Sequence, residues 1–249
     1  MVLPLLDFAT IPIWLQVFAY VYLIGGILAG IYIAYDILKK KHMQKMPIMN
    51  VVWPITVFYL FPLGLWAYWH LGHTYARKSN IDQQHLVKSH EYASNNKNSR
   101  PFWESIFVSA THCGAGCTIG DVISTWIIFV GSIVIFGSIL ATAFILDFTF
   151  AWLLGVIFQY LAISEMRKVS LREGLIDSIK ADTLSLAAFE IGLFGWMTIV
   201  ALVIFGTTWH ANPTEPLFWF MMQIGMTIGF FTSYPANIWL VKKGIKHGM

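Results

Sequence analysis

Long apolar stretches, bounded by clusters of charged residues, restrict the fold of this chain more than any other feature of its sequence. A helix needs about 20 mostly apolar residues to cross the ~30 Å hydrocarbon core of a bilayer. Six stretches are apolar over such lengths: residues 12–38, 49–70, 118–140, 148–163, 183–205 and 217–241. Only 12% of the residues are charged, against about 25% in soluble domains. The sequence therefore excludes a soluble globular protein and predicts one that is embedded in a membrane.

The six stretches predict an all-α fold, a polytopic transmembrane helix bundle with about six spans. We expect a two-helix N-terminal transmembrane hairpin (residues 1–75), a polar loop (76–100) and a four-helix transmembrane domain (101–249). Such a chain is a multi-pass protein of the cell membrane, and lipid is its first partner. The net charge of +3 comes from the flanks of the spans and gives no reason to expect nucleic-acid binding.

The residues before the third stretch raise a question of length. Residues 101–117 are apolar but too short to cross alone. Joined to the third stretch they form a helix of about 38 residues, or about 57 Å, which is longer than a bilayer needs. We therefore expect a break at Gly114 and Gly116, with residues 102–111 as a short re-entrant or interfacial half-helix.

The most specific motif is His112-Cys-Gly-Ala-Gly-Cys117. On a regular helix Cys113, Cys117 and Asp121 stand at i, i+4 and i+8 and share one face. Thiolates are ligands for Cu(I) and zinc, and the adjacent imidazole of His112 would complete a soft metal site. The alternative is that the cysteines are small apolar core residues and the glycines allow close helix packing.

Carboxylates inside a span cost about 2.5–3.5 kcal/mol at its centre, so each needs a partner or a function. Glu190 stands in the middle of the fifth stretch, and we interpret it as a group that binds or moves a cation or proton, or as a protonated acid bonded to a neighbouring helix. Asp147 and Asp182 lie near span ends and are interpreted as charges at helix N-termini. Every lysine and arginine is expected at a span end or in a loop, so the buried charge should be entirely negative.

Two further patterns concern the packing of the bundle. Met222 and Met226 offer thioether ligands for a soft metal, although methionine at helical spacing is also ordinary core filler. Small residues recur four apart at Gly26 and Gly30, Gly116 and Gly120, and Gly225 and Gly229. This spacing lets helix backbones approach closely, so we expect a tight bundle.

Several strings of the sequence resemble the domain of unknown function 4396 family of multi-pass membrane proteins. The resemblance covers about residues 101–249. Its strings are His112-Cys-Gly-Ala-Gly-Cys-Thr-Ile-Gly-Asp121, Phe158-Gln-Tyr160, Lys180-Ala-Asp-Thr-Leu-Ser-Leu-Ala-Ala-Phe-Glu190, Trp219-Phe-Met-Met-Gln-Ile-Gly-Met226 and Gly244-Ile-Lys-His-Gly-Met249. It implies a membrane-embedded domain and no particular activity, but the strings contain the residues that the burial argument selects.

Together these observations favour a membrane protein that binds a soft metal cation for transport, delivery or sensing, with Cu(I) preferred over zinc. No P-loop or aspartyl-phosphate motif supplies energy, so a transporter would be passive or ion-coupled. Asp121 and Glu190 would supply negative charge or take up protons that the ligands release. The candidate site residues are His112, Cys113, Cys117, Asp121, Glu190, Met222 and Met226.

Two other functions stay open at the level of sequence. A membrane thiol-disulfide oxidoreductase would use the two cysteines, although redox pairs usually have two intervening residues rather than three. A structural or assembly subunit of a membrane complex would need only the small-residue spacings. The sequence also leaves open a homo-oligomer.

Overall fold

The computed structural model describes residues 11–39, 44, 46–74, 101–166, 170–206 and 212–246. Within these residues the chain is helical and contains no β-strand, which confirms the all-α prediction. The predicted polar loop, residues 76–100, lies outside the described residues.

Seven helices carry the described part of the chain. They are α1 (Ile13–Lys39), α2 (Met49–Tyr59), α3 (Leu63–Ala67), α4 (Phe102–Gly131), α5 (Ile139–Met166), α6 (Leu171–Ile199) and α7 (Pro216–Lys242). Two π-helical segments, Tyr68–His73 and Val200–Ile204, continue α3 and α6. Four helices, α1, α4, α5 and α6 with its π-helical extension, are long and apolar enough to cross a membrane.

The predicted break at Gly114 and Gly116 is wrong, because both residues lie inside helix α4. The helix runs without interruption for 30 residues, about 45 Å, so residues 102–111 form its first turns rather than a separate half-helix. The break comes later, at Ser132, whose φ of 48° and ψ of 39° place it in the left-handed region. The prediction fails because both glycines lie in tight contacts with neighbouring elements, and this packing supports the helix that glycine by itself weakens.

The second predicted span is interrupted. Helix α2 ends at Tyr59 and α3 begins at Leu63, after Pro62, because proline has no N–H for a continuing helix. The carbonyl of Phe61 in this break accepts a hydrogen bond from the Tyr22 hydroxyl of α1. The backbone carbonyl that the proline break exposes is therefore satisfied by a side chain of the same hairpin.

Glycines bring helix backbones together at all three predicted spacings. A Cβ atom added at Gly116 would lie 2.9 Å from the Cα of Gly155 on α5, and one at Gly229 would lie 2.7 Å from the carbonyl oxygen of Phe189 on α6. On α1, Gly30 faces the Pro54 carbonyl of α2 in the same way, at 3.1 Å. The predicted tight bundle is confirmed.

The N-terminal hairpin packs on the four-helix part chiefly through α1 against α7 and α2 against α4, and hydrogen bonds also join α2 to α7. The Gln223 side chain of α7 donates to the Phe58 carbonyl at 2.7 Å, and the Thr227 hydroxyl donates to the Tyr59 carbonyl at 3.2 Å. These bonds satisfy the carbonyls of α2 that lie before the proline break. Both parts consequently share one core.

Substitution of Gly120 by alanine tests the contact between α4 and α5. The added Cβ would lie 2.5 Å from the Cα of Ala151, so the helices must separate, and we expect a loss of roughly 1–3 kcal/mol in stability. The matched control is Gly195→Ala on α6, where nothing lies within 4 Å of the added atom; we expect this variant to be as stable as wild type or more stable. Thermal unfolding in detergent measures both, and equal midpoints for the two variants would contradict the proposed contact.

Candidate functional site

The two cysteines lie inside the bundle as free thiols. Cys113 and Cys117 are on consecutive turns of α4, fully buried and adjacent to each other. The regular helix keeps them on one face, as the spacing predicts.

Two carboxylic acids lie beside the thiols. Glu190 of α6 is next to Cys117, and Asp121, one turn further along α4, is within electrostatic range of Glu190. Both side chains are buried, and within the described residues none of their four carboxyl oxygens has a hydrogen-bond partner. A buried carboxylate without a partner is costly, so these groups hold either a proton or a nearby cation.

Asp147 belongs to the same cluster, which corrects its interpretation as a charge at a helix N-terminus. Helix α5 begins at Ile139, so Asp147 lies two turns inside it, where it is buried and accepts a hydrogen bond from Ser124 of α4. It is within electrostatic range of Asp121 and Glu190. Three helices thus each contribute one acid at this level of the bundle, which is called the acid cluster below.

Asp182 also lies away from the helix N-terminus at which the sequence predicts it. It lies in the middle of α6, 1% exposed, with its Oδ1 3.5 Å from the Nζ of Lys246, which is equally buried. Gly244, with φ of +70°, turns the chain after α7 so that Lys246 folds back into the bundle. The expectation that all buried charge is negative is therefore wrong.

His112 occupies a different side of α4 from the thiols. It shares a helix face with Gly116, which contacts α5, and it is within electrostatic range of Lys246. The ring is buried, and neither nitrogen has a partner in the described part of the chain. The structure thus places His112 with the Asp182–Lys246 pair.

Of the two candidate methionines, Met226 reaches α4. Its sulfur accepts a hydrogen bond of 3.7 Å from the hydroxyl of Thr118, the residue after Cys117. Met222, one turn earlier on α7, is buried as well. This bond places the thioether against α4 at the residue that follows Cys117.

No three His, Cys, Asp or Glu side chains in the described ranges converge in a way that could hold a single metal ion. The thiol pair and the acid cluster are neighbours rather than one multidentate cage. Any ion at the thiols must therefore accept few ligands from these residue types.

The family model described as a domain of unknown function (DUF4396) matches residues 102–246, more than half of the chain. This chain belongs to the DUF4396 family. The match begins where α4 begins and extends to Lys246, so the thiols, the acid cluster and the buried ion pair all belong to the DUF4396 region. No curated protein and no solved structure matches the chain.

Sequence reasoning missed four groups of this DUF4396 interior. Ser124, Lys246, the central position of Asp182 and the hydroxyl of Tyr59, which faces α4 from α2, were not selected. Lys246 follows a glycine at the end of the last apolar stretch, so its place in the sequence resembles that of an ordinary flanking lysine. Only the contact with α6 reveals its burial.

Removal of one partner of the buried ion pair should destabilise this DUF4396 protein. In Lys246→Met the Asp182 carboxylate stays buried without its cation, and we expect a loss of about 3–5 kcal/mol. The double variant Asp182→Asn/Lys246→Met leaves no uncompensated charge and should regain most of that loss. Thermal unfolding midpoints in detergent compare the two; a double variant no more stable than Lys246→Met would refute the pairing.

Proposed function

We propose that this protein crosses the cell membrane six times and binds Cu(I) at the thiols of Cys113 and Cys117, for transport, delivery or sensing of that ion. The observation that carries the proposal is a pair of reduced, adjacent, fully buried thiols with unpartnered carboxyl groups beside them. Each thiol passes its proton to a carboxylate of the acid cluster as its sulfur binds the ion. Copper remains Cu(I) throughout, so no redox partner is required.

The ligand set favours Cu(I) over zinc. Soft thiolates select Cu(I), which is stable with two thiolate ligands. Structural zinc sites take four protein ligands and catalytic ones three, and the described residues offer no group of three His, Cys, Asp or Glu. Zinc is therefore the less favoured ion.

The acids favour a cation at this depth of the bundle. Asp121 and Glu190 come from different helices, and each lies within electrostatic range of Asp147. The Lys246 ammonium is already paired with Asp182, so it does not neutralise them. In their ionised form these acids supply a negative potential that attracts a cation into an interior of low dielectric constant.

Six crossings follow from adding two segments to the four long apolar helices. Residues 49–73 form the broken unit of α2, α3 and its π-helical continuation, and α7 has 27 residues. Helix α7 is less apolar because it contains Gln223, Ser233 and Asn237, which are all buried inside the bundle. Buried polar side chains do not face lipid, so they are compatible with a crossing.

A thiol-disulfide oxidoreductase receives less support. Cys113 and Cys117 are held one turn apart on a regular helix, and a disulfide between such positions requires the backbone to unwind. Helix α4 is packed against α2, α5, α6 and α7 around these residues, so unwinding would disrupt several contacts.

Copper loading tests the proposal directly. Detergent-purified protein, supplied with Cu(I) under reducing conditions, should retain about one ion per chain, and Cys113→Ser/Cys117→Ser should retain none because both soft ligands are gone. Ser109→Ala, a buried position one turn before Cys113, is the matched control and should load like wild type. Metal analysis after desalting gives the stoichiometry; a copper-free wild type, or a serine variant that keeps its copper, would refute the proposal.

The methionines should affect the rate of loading rather than the stoichiometry. If Met222 and Met226 relay the ion to the thiols, Met222→Leu/Met226→Leu should load about tenfold more slowly while leucine preserves the core volume. Met197→Leu on α6 is the control for a buried methionine outside the relay.

Transfer of Cu(I) from a coloured chelator, followed by stopped-flow absorbance, measures this rate. Equal rates for the double variant and the control would show that the two methionines are core filler.

A further inference from the structure

Tyr59 of α2 reaches across the bundle to the thiol-bearing helix. Its side chain is fully buried, and a Cβ atom added at Gly114 would collide with the Tyr59 hydroxyl. Gly114 lies between the two cysteines in the sequence. Because glycine has no side chain, the tyrosine hydroxyl can occupy the space beside the α4 backbone at this position.

Aromatic residues of two other helices hold the Tyr59 ring in place. Phe189 of α6 meets it edge to face with ring centroids 6.4 Å apart, and Phe230 of α7 lies 6.5 Å away. The backbone at Tyr59 is tied to α7 by the hydrogen bond from Thr227. With contacts on three helices, the ring has little freedom to turn its hydroxyl elsewhere.

The hydroxyl itself has no hydrogen-bond partner in the described residues. Thr56, one turn earlier on α2, is near, but its hydroxyl is also without a partner. The Tyr59 oxygen is within electrostatic range of both Cys113 and Cys117. A buried hydroxyl that lacks a bond costs free energy, so its position calls for an acceptor at the thiol pair.

We propose that Tyr59 is a positioning residue whose hydroxyl donates a hydrogen bond to a thiolate sulfur of the Cys113–Cys117 pair when a soft metal cation is bound. This role rests on the proposed function, and it names Tyr59 as the group that stabilises the negatively charged thiolate ligands. As each S–H bond breaks, its proton passes to a carboxylate of the acid cluster, and an S–metal bond forms. The sulfur thereby becomes a stronger acceptor, and the tyrosine keeps its own proton and supplies the donor. The residue lies outside the matched family region, so the hairpin completes the site.

The test compares Tyr59→Phe with Tyr234→Phe. Phenylalanine retains the ring and removes only the hydroxyl, and we expect Cu(I) affinity to fall between about tenfold and hundredfold, the range for a hydrogen bond to a charged group. Tyr234 donates to a backbone carbonyl near the surface, and its variant should bind like wild type. Competition with a Cu(I) chelator gives the affinities.

A spectroscopic measurement separates this role from a general packing effect. The ultraviolet charge-transfer band of the Cu(I)–thiolate pair should shift in Tyr59→Phe, because the donor to sulfur is gone, and it should stay unchanged in Tyr234→Phe. Gly114→Ala is the second variant; its methyl group displaces the hydroxyl while Tyr59 remains, and it should weaken binding in the same way.

The outcomes distinguish the two proposals. A wild type that binds no Cu(I) refutes the proposed function itself. A wild type that binds, together with a folded Tyr59→Phe of unchanged affinity and unchanged band, overturns the role of Tyr59 alone. If Tyr59→Phe does not fold, Gly114→Ala decides, and wild-type affinity in that variant overturns the inference.

Discussion

The close approach of α4 to its neighbours is the constraint on which the rest of the structure depends. At Gly114, Gly116 and Gly120 there is no side chain between the α4 backbone and the atoms of α2 and α5 that meet it. These contacts exclude lipid and leave the intervening residues of α4 facing the interior. The thiols and Asp121 lie in that interior because the helix that carries them is central.

Among the described residues inside the bundle, polar side chains cluster at two depths along α4, and only one of the two clusters contains a basic residue. His112 and Asp121 are nine residues apart on α4, about 13.5 Å along the helix. At the level of His112, Lys246 compensates Asp182. At the level of Asp121, the acid cluster has no base beside it in the described residues. The thiols lie between these levels, next to the acids that have no basic partner in the described part of the chain, and this asymmetry supports the proposed cation site.

Local spacing predicts the parts of the site that one helix carries. The face shared by Cys113, Cys117 and Asp121 follows from 3.6 residues per turn alone, and Glu190 stands out because an acid in an apolar stretch is costly. The predicted break in α4 fails because glycine propensity is a local quantity, whereas the contacts of Gly114 and Gly116 with other helices decide whether the helix continues.

Positions near the ends of apolar stretches are where sequence reasoning is weakest. Asp147, Asp182 and Lys246 all stand near the ends of such stretches, and each reads as a flanking charge. The helices α5 and α6 begin earlier than the apolar stretches do, and the chain after α7 turns back at Gly244. The early starts of α5 and α6 and a single glycine turn after α7 therefore move all three charges into the interior.

The sequence by itself determined the membrane class, the all-α fold, the tight glycine contacts and the thiol-bearing face of α4, because each of these depends on composition or on spacing within one helix. The tertiary structure alone decided that Asp147 joins Asp121 and Glu190, that Lys246 pairs with Asp182, and that Tyr59 faces the thiols. These meetings join residues between 26 positions (Asp121 and Asp147) and 64 positions apart (Asp182 and Lys246), and the two partners always belong to different segments of the bundle. Periodicity fixes the direction of a side chain on its own helix and carries no information about which helix that side chain will meet.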